Sequence, residues 1–321
     1  MIISAIIKAL EGKLSALLLM RSKLLVSQTY KALQGVGISE LGQLTGDKED
    51  VRDVTVATIQ SLHKMSDKQL GSVGALIVDE VHEFSSTKIE KQLMKLKSTS
   101  FRLGFSATPW KDDDMIHNYR LKSNFGSELS DIGVLELQER GILSECVINF
   151  HEVQLKGIKD RNYQDAENEG IVQNFEFHMK VSQLIRQIPS GRIMIMVSKL
   201  QHGDYLHSLL PGSFWIRGSD DMESREVVLE MLRSTKEKKV VVIMSKIGYI
   251  GINVHLHHLI NATGGKSSLQ LIQKLGRGLR TSEDKEYLSY HDFDFKGNKY
   301  LEEHSKHRKS ILINQGYSIR T

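Results

Sequence analysis

The sequence predicts an α/β fold of two lobes, each a mostly parallel sheet with helices on both faces. Three observations carry that expectation. Short, uninterrupted apolar runs alternate with segments of helical period, the pattern of strand–helix–strand units. Two of these runs end in polar clusters, and parallel sheets place their ligand sites outside the carboxyl ends of the strands. The chain has 321 residues, enough for two cores at roughly 150 residues per domain.

Ile2, Ile3, Ile6, Ile7 and Leu10 share one helical face, so the chain opens in a helix. Residues 14–20 (LSALLLM) read as a strand buried on both faces, and residues 27–33 as a helix stopped by Gly35 and Gly37. Strands follow at 54–57 (VTVA), 75–78 (ALIV) and 101–105 (FRLGF), the last two running into DEVHE and SATP. From 151 to 187 the pattern loosens, and KGIKDRNYQDAENEG reads as a connector or surface insertion. The alternation restarts with strands at 192–198, 214–216 and 240–244, another beginning at 259–261, and helices at 204–210 and 224–233. Residues 270–280 predict a helix with one basic face, and KYLEEHSKHRKSILINQGY predicts an amphipathic helix packed back on the second lobe. The expected boundaries are 1–150 for the first lobe, 151–187 for the connector, 188–285 for the second lobe and 286–321 for a helical extension.

Composition narrows the classes. With 40% hydrophobic and 26% charged residues the chain has the balance of a globular protein, not of a disordered tail or a collagen-like repeat. A single cysteine, Cys146, excludes an intramolecular disulfide framework. No apolar run approaches the ~18 residues of a membrane span, and MIISAIIKALEGK lacks the basic lead-in of a signal peptide, so the expected address is cytoplasmic. A net charge of +4 is compatible with a polyanion but decides nothing, since many proteins without such a partner are equally basic.

Three constellations carry chemistry. In Asp79-Glu80-Val81-His82, adjacent acids follow a hydrophobic strand: one carboxylate can hold Mg²⁺, directly or through water, and its neighbour can orient or deprotonate an attacking water. Taken alone, the pair reads more readily as an acidic strand-to-helix loop or helix cap, a reading that weakens once the other motifs are counted. Ser106-Ala107-Thr108-Pro109 places small hydroxyls after the next strand, where they can bond the acids beside them or simply form a turn. In QLIQKLGRGLR, Arg277 and Arg280 lie three apart on one helical face, able to grip a terminal phosphate. Gly276 and Gly278 within that helix cost up to ~1 kcal/mol each, an odd choice for a merely solvated face. His255, His257 and His258 crowd together without convergent acids or cysteines, so zinc is not expected there. Trp110 and Trp215 could stack bases, with core or rim packing favoured for both.

DEVH, SATP, IMSKIGYIGINV and QLIQKLGRGLR, in that order, resemble motifs II, III, V and VI of the superfamily 2 helicases. The resemblance is strongest to the DEAH/DEVH-type DNA helicases and translocases related to XPB and to phage UvsW, and covers nearly the whole chain. MRSKLLVSQ resembles motif Ia, LTGDKEDVRDVTVATIQSL motifs Ib and Ic, and IMIMVSKLQHGDYL motif IV. The family implies two RecA-like lobes with ATP in the cleft between them and nucleic acid, DNA in preference to RNA, as partner. By matching position, Asp79 would hold Mg²⁺ and Glu80 would activate water. His82, Ser106 and Thr108 would couple nucleotide to nucleic acid; Gly251 and Asn253 would sit beside ribose or phosphate; Gln273, Arg277 and Arg280 would act from the second lobe. Arg21, Thr45, Gly46, Thr58, Ser198, Lys199 and Ser245 match the strand-binding track, whose backbone contacts are sequence-independent and salt-sensitive.

Two departures from the family pattern stand out. Tyr249 and Ile250 precede Gly251 where an acid is usual, which bears on the tuning of hydrolysis. No GxxxxGK[ST] occurs, and the helix at residues 2–10 occupies the position just after that loop, so the first lobe is expected to lack its first strand and phosphate cradle. The sequence thus leaves two main expectations: an ATP-dependent helicase or translocase, or a non-hydrolysing nucleic-acid-binding part of a split helicase whose P-loop comes from a second polypeptide. A restriction-system translocase uses the same motor, but no nuclease-like cluster of acids and lysine accompanies it here.

Overall fold

The computed structural model describes residues 2–111, 114–234, 239–245, 254–267 and 287–320. They form two units, Met1–Ser130 and Asp131–Thr321.

The first unit runs α1 (Ile2–Leu10), β1 (Ala16–Met20), α2 (Lys23–Gly35), β2 (Leu41–Leu44), β3 (Glu49–Asp50), β4 (Val54–Thr58), α3 (Asp67–Ser72), β5 (Ala75–Asp79), α4 (Thr87–Leu93), β6 (Phe101–Phe105) and α5 (Met115–Phe125). Its sheet order is β3-β2-β4-β1-β5-β6, parallel except for β3. Every residue of β1 and β4 is buried, because alternate side chains feed opposite cores. Leu17, Leu19, Leu76 and Val78 pack with Leu62, Phe84 and Leu93 on one face. Leu18, Met20, Val56 and Ile77 pack with Ile7, Val26 and Leu33 on the other. Side-chain caps fix the helix starts: Ser22 accepts from the Leu25 amide, and Ser66 and Gln69 bond reciprocally at α3. β6 differs from the inner strands. Among the described residues it pairs with β5 alone, and Phe101 is 52% exposed.

The second unit runs α6 (Val134–Glu139), β7 (Glu145–Gln154), α7 (Tyr163–Glu167), α8 (Phe175–Gln187), β8 (Arg192–Val197), α9 (Leu200–Leu209), β9 (Phe214–Ile216), α10 (Met222–Ser234), β10 (Val240–Ser245), β11 (His258–Asn261), β12 (Tyr287–Lys296), α11 (Lys299–Asn314) and β13 (Ile319–Arg320). Its sheet order is β13-β7-β12-β11-β8-β10-β9, with every described pairing parallel.

Here the expected boundaries shift. The first unit ends at Ser130, not at residue 150, because β7 pairs with β12 in the second sheet over ten residues, from Glu145↔Tyr287 to Gln154↔Lys296. Residues 151–187 are not a connector: Val153, Ile171, Phe177, Val181 and Ile185 are core residues. Residues 286–321 contribute more than a helix, since β12 lies inside the sheet between β7 and β11. Its polar residues hid it, and the buried ones bond internally. Asp292, fully buried, takes bonds of 2.8 to 3.2 Å from Arg308 Nε and Nη2, and further bonds from Tyr290 Oη and Asn261 Nδ2. Among the described residues, no helix is long and apolar enough to cross a membrane.

Candidate functional site

Parallel pairing brings the carboxyl ends of five strands to one edge of the first sheet. In sheet order that edge carries Thr45 and Gly46 after β2, Thr58 at the end of β4, Arg21 after β1, Asp79 and Glu80 at β5, and Ser106 and Thr108 after β6. At about 4.8 Å per strand the row spans about 19 Å. Residues far apart in sequence thus form one rim.

The acidic turn is built by local sterics. Gly104 on β6 leaves room for Val81, since a Cβ there would stand 2.7 Å from Val81 Cγ2. Glu80 takes the left-handed conformation, φ 53° and ψ 49°, which turns the chain sharply off β5. The half-buried Asp79 carboxylate accepts the Glu80 amide at 3.0 Å, and burial raises its pKa above the ordinary carboxylate value. His82 Nδ1 lies 2.8 Å from Ser106 Oγ, which also accepts the Thr108 amide at 3.1 Å. Glu80 Oε2 is 3.4 Å from the same Nδ1. Burial, with the nearby His117, Lys111 and Arg21, pushes the His82 pKa down to about 4, so the ring is neutral at pH 7. His82 Nε2 and Thr108 Oγ1 are buried with no hydrogen-bond partner among the described residues.

At the other end of the rim, the Thr58 hydroxyl bonds Ser61 at 2.8 Å, and the Thr45 hydroxyl donates to Asp47 at 3.1 Å while accepting the Lys48 amide. Both threonines are buried and shape loops from within. The charges facing outward are Arg21 and Lys23, with Lys64 alongside: Arg21 pairs with Glu83, Lys23 with Asp47 at 2.8 Å, and Lys64 Nζ donates to Gly46 O at 2.9 Å. Lys23 and Lys64 are additional to the sequence expectation. Their signal is faint, two lysines among many, until the fold sets them beside one loop.

In the second unit, Ser198 and Lys199 follow β8 and Ser245 ends β10; the two strands are parallel neighbours, with Ser245 opposite Val197. The hydroxyls of Ser198 and Ser245 are buried and find no hydrogen-bond partner among the described residues. Gly251, Asn253, Gln273, Arg277 and Arg280 lie outside the described residues. The two tryptophans make rim contacts, Trp110 Nε1 donating to Glu128 at 2.8 Å and Trp215 Nε1 to Asp204 at 2.9 Å. His257 Nδ1 accepts the Arg192 amide, and His258 bonds His291.

Two sheets of this topology, each with its polar cluster at the carboxyl edge, define a RecA-like α/β protein. Comparison with known proteins narrows the class. Residues 1–111 match the family described as Type III restriction enzyme, res subunit. The ATP-dependent DNA helicase UvsW of Enterobacteria phage T4 is 23% identical over 241 residues, covering 71% of this chain and 47% of the phage protein. The DNA 3'-5' translocase XPB2 of Sulfurisphaera tokodaii is 23% identical over 294 residues, covering 77% of this chain and 64% of that one. A fragment of a putative HsdR subunit of a type I restriction enzyme from Vibrio vulnificus shares the fold, with TM-score 0.72 at 14% identity over 96% of this chain and 57% of its own. Over most of its length the chain is thus similar in sequence to DNA helicases and translocases, UvsW and the XPB proteins among them. It spans about half the length of most curated relatives it matches.

Proposed function

We propose that the protein is the motor of an ATP-dependent DNA helicase or translocase acting in repair, recombination or replication. The observation that carries this reading is the rim of the first unit, where Asp79, Glu80, His82, Ser106 and Thr108 stand together and run on to the cations Arg21 and Lys23. The residues fit Mg²⁺: Asp79 is a half-buried carboxylate whose ionised form burial disfavours, a cost a divalent cation offsets. A single carboxylate, with waters and phosphate oxygens, is a usual way for a protein to hold Mg²⁺ beside a nucleotide. ATP with Mg²⁺ supplies the terminal phosphoryl group that is transferred to water. Glu80 orients that water and takes its proton, His82 and Ser106 link the acids to β6, and Gln273, Arg277 and Arg280 are assigned by their motif to stabilising phosphate charge. Arg21, Lys23 and the loop at Gly46 hold a DNA backbone by its phosphates, with Thr58, Ser198, Lys199 and Ser245 assigned to the same track.

A second reading is favoured by β6, whose outer edge is unpaired among the described residues, and by the lack of GxxxxGK[ST] in the sequence. In it, the protein is one part of a split helicase whose phosphate loop is supplied by a partner chain, and residues 1–321 by themselves bind nucleic acid without hydrolysing ATP. ATP turnover with single-stranded or branched DNA separates the two. Robust turnover by residues 1–321 alone overturns the second reading. An inert protein even when extended to carry a phosphate loop overturns the first. In the active form, Glu80→Gln lowers turnover by roughly 10²–10⁴-fold while DNA binding persists.

A further inference from the structure

The first sheet carries a second polar feature, at the edge away from the acidic turn. β2 and β3 pair antiparallel with Gln43 opposite Asp50, so these two side chains share one face. It is the face covered by α2, because Leu41, two residues before Gln43, packs there with Tyr30. Tyr30, Gln43, Lys48, Glu49 and Asp50 line a pocket of about 310 Å³, at the small end of the range for ligand pockets. A Cβ at Gly42 would stand 2.5 Å from the Asp50 carbonyl oxygen, so the bare backbone lets the hairpin return close against β2.

Gln43 is the unusual member. It is only 6% exposed, yet its side-chain amide makes no hydrogen bond among the described residues and opens on the pocket. The desolvation of a buried amide is recovered only when a partner takes its N–H and C=O. The Tyr30 hydroxyl and the Lys48 ammonium also make no hydrogen bond among the described residues. Asp50 is held in place, both its oxygens accepting from Arg52 Nε at 3.1 Å with lone pairs to spare. An aromatic ring, an amide and a carboxylate suit a planar ligand that carries a donor beside an acceptor. Adenine is such a ligand: its N6 amino group and ring nitrogen match a glutamine amide bidentately, whereas thymine has no amino group.

The surroundings say where the base comes from. Three strand spacings, about 14 Å, separate β2 from β5, so the pocket is distinct from the acidic turn. Gln43 lies three residues before Gly46, about 10 Å along the strand from the loop where Lys23 and Lys64 stand. The Glu49 and Asp50 carboxylates would repel the charged phosphate of a free nucleotide, whereas a strand keeps its phosphates at that loop. Entry takes the base out of its stack, so the strand is unpaired there.

We propose that this pocket binds one unstacked adenine base of the DNA strand held along the rim, with Gln43 reading its edge and Tyr30 stacking on its face. This preference rests on the DNA reading above, to which it adds one base-selective position in a track that otherwise grips only phosphates.

The test is fluorescence anisotropy of the full chain at fixed salt, with the single strands (dT)20 and d(TTTA)5 as probes. One good bidentate pair gives about tenfold preference in the pocket, which reads as about threefold tighter binding when adenine fills every fourth position. Gln43→Leu keeps the bulk and removes the amide, so it should bind both oligomers with the parent's (dT)20 affinity. Thermal melting within a few degrees of the parent shows that the variant remains folded. Replacing adenine in d(TTTA)5 by purine, which lacks the N6 amino group, should return the parent to its (dT)20 affinity and needs no variant. A preference that survives in folded Gln43→Leu, or that purine retains, overturns the proposal. Equal binding of (dT)20 and d(TTTA)5 by the parent overturns it too and leaves the DNA reading standing, while failure to bind either oligomer overturns both.

Discussion

Glu80 sits at φ 53°, the one non-glycine residue at positive φ among the described residues. A side chain in the left-handed region costs of order 1–3 kcal/mol, and such strain gathers where a backbone must aim a functional group. Comparing Glu80→Gly with Glu80→Ala isolates that cost, because both remove the carboxylate and glycine alone is at ease there. Glu80→Gly is expected to be more stable than Glu80→Ala by about 1 kcal/mol in chemical denaturation; equal midpoints would show the turn to be unstrained. The sequence displays the acids of DEVHE and their order after ALIV, but no residue type reveals the turn's handedness or Arg21 reaching Glu83. Those depend on side chains meeting across strands, which spacing along one chain does not encode.

At the level of elements, β6 and the acidic turn are held in register by one absent side chain. Gly104→Ala would drive a methyl into Val81, so it should destabilise the first unit by about 1–3 kcal/mol and displace Glu80 and His82 with it. Val81→Ala in the same protein should recover most of that loss, and a double-mutant cycle from melting curves measures the coupling. Purely additive effects would mean that Gly104 matters for another reason. In the second unit, Arg308→Met should cost about 3–5 kcal/mol, because it strands the Asp292 carboxylate in the core. Strand legibility follows the same physics. β1, β5, β8 and β10 are buried apolar runs and announce themselves, whereas β12 buries Ser289, His291 and Asp292 among its aromatics, and its period-2 alternation changes phase between His291 and Asp292. Its partner Arg308 reads as one more basic residue on the polar side of an amphipathic helix until that helix is seen against the sheet.

For the whole molecule, histidines make the second unit the acid-sensitive one. Burial pushes His202 and His291 down to about 3 and His258 to about 4, helped by His178 beside His202, by His151 and His258 beside His291, and by His257 and Lys239 beside His258. A depressed folded pKa means that the unfolded chain binds more protons between the folded value and 6.5. Stability is therefore full above about pH 6.5 and falls with pH through that window, by up to ~1.4 kcal/mol per unit for each group. Trp215 and Trp110 report the two units separately. In single-tryptophan variants, the Trp215 fluorescence transition should come at higher pH than that of Trp110, and the reverse order would refute the assignment. The long β7–β12 pairing has a further consequence, in the time order of synthesis. Its partners are about 140 residues apart, so during translation β7 emerges with its neighbour in the sheet still unmade. The described strands of the first unit are all made by Phe105, so that unit can close on the ribosome, while the second sheet waits for β12. Nascent chains stalled before residue 287 should yield a protease-resistant first unit and a digestible second one, the mark of a sheet that stays open until its inner strand has been made.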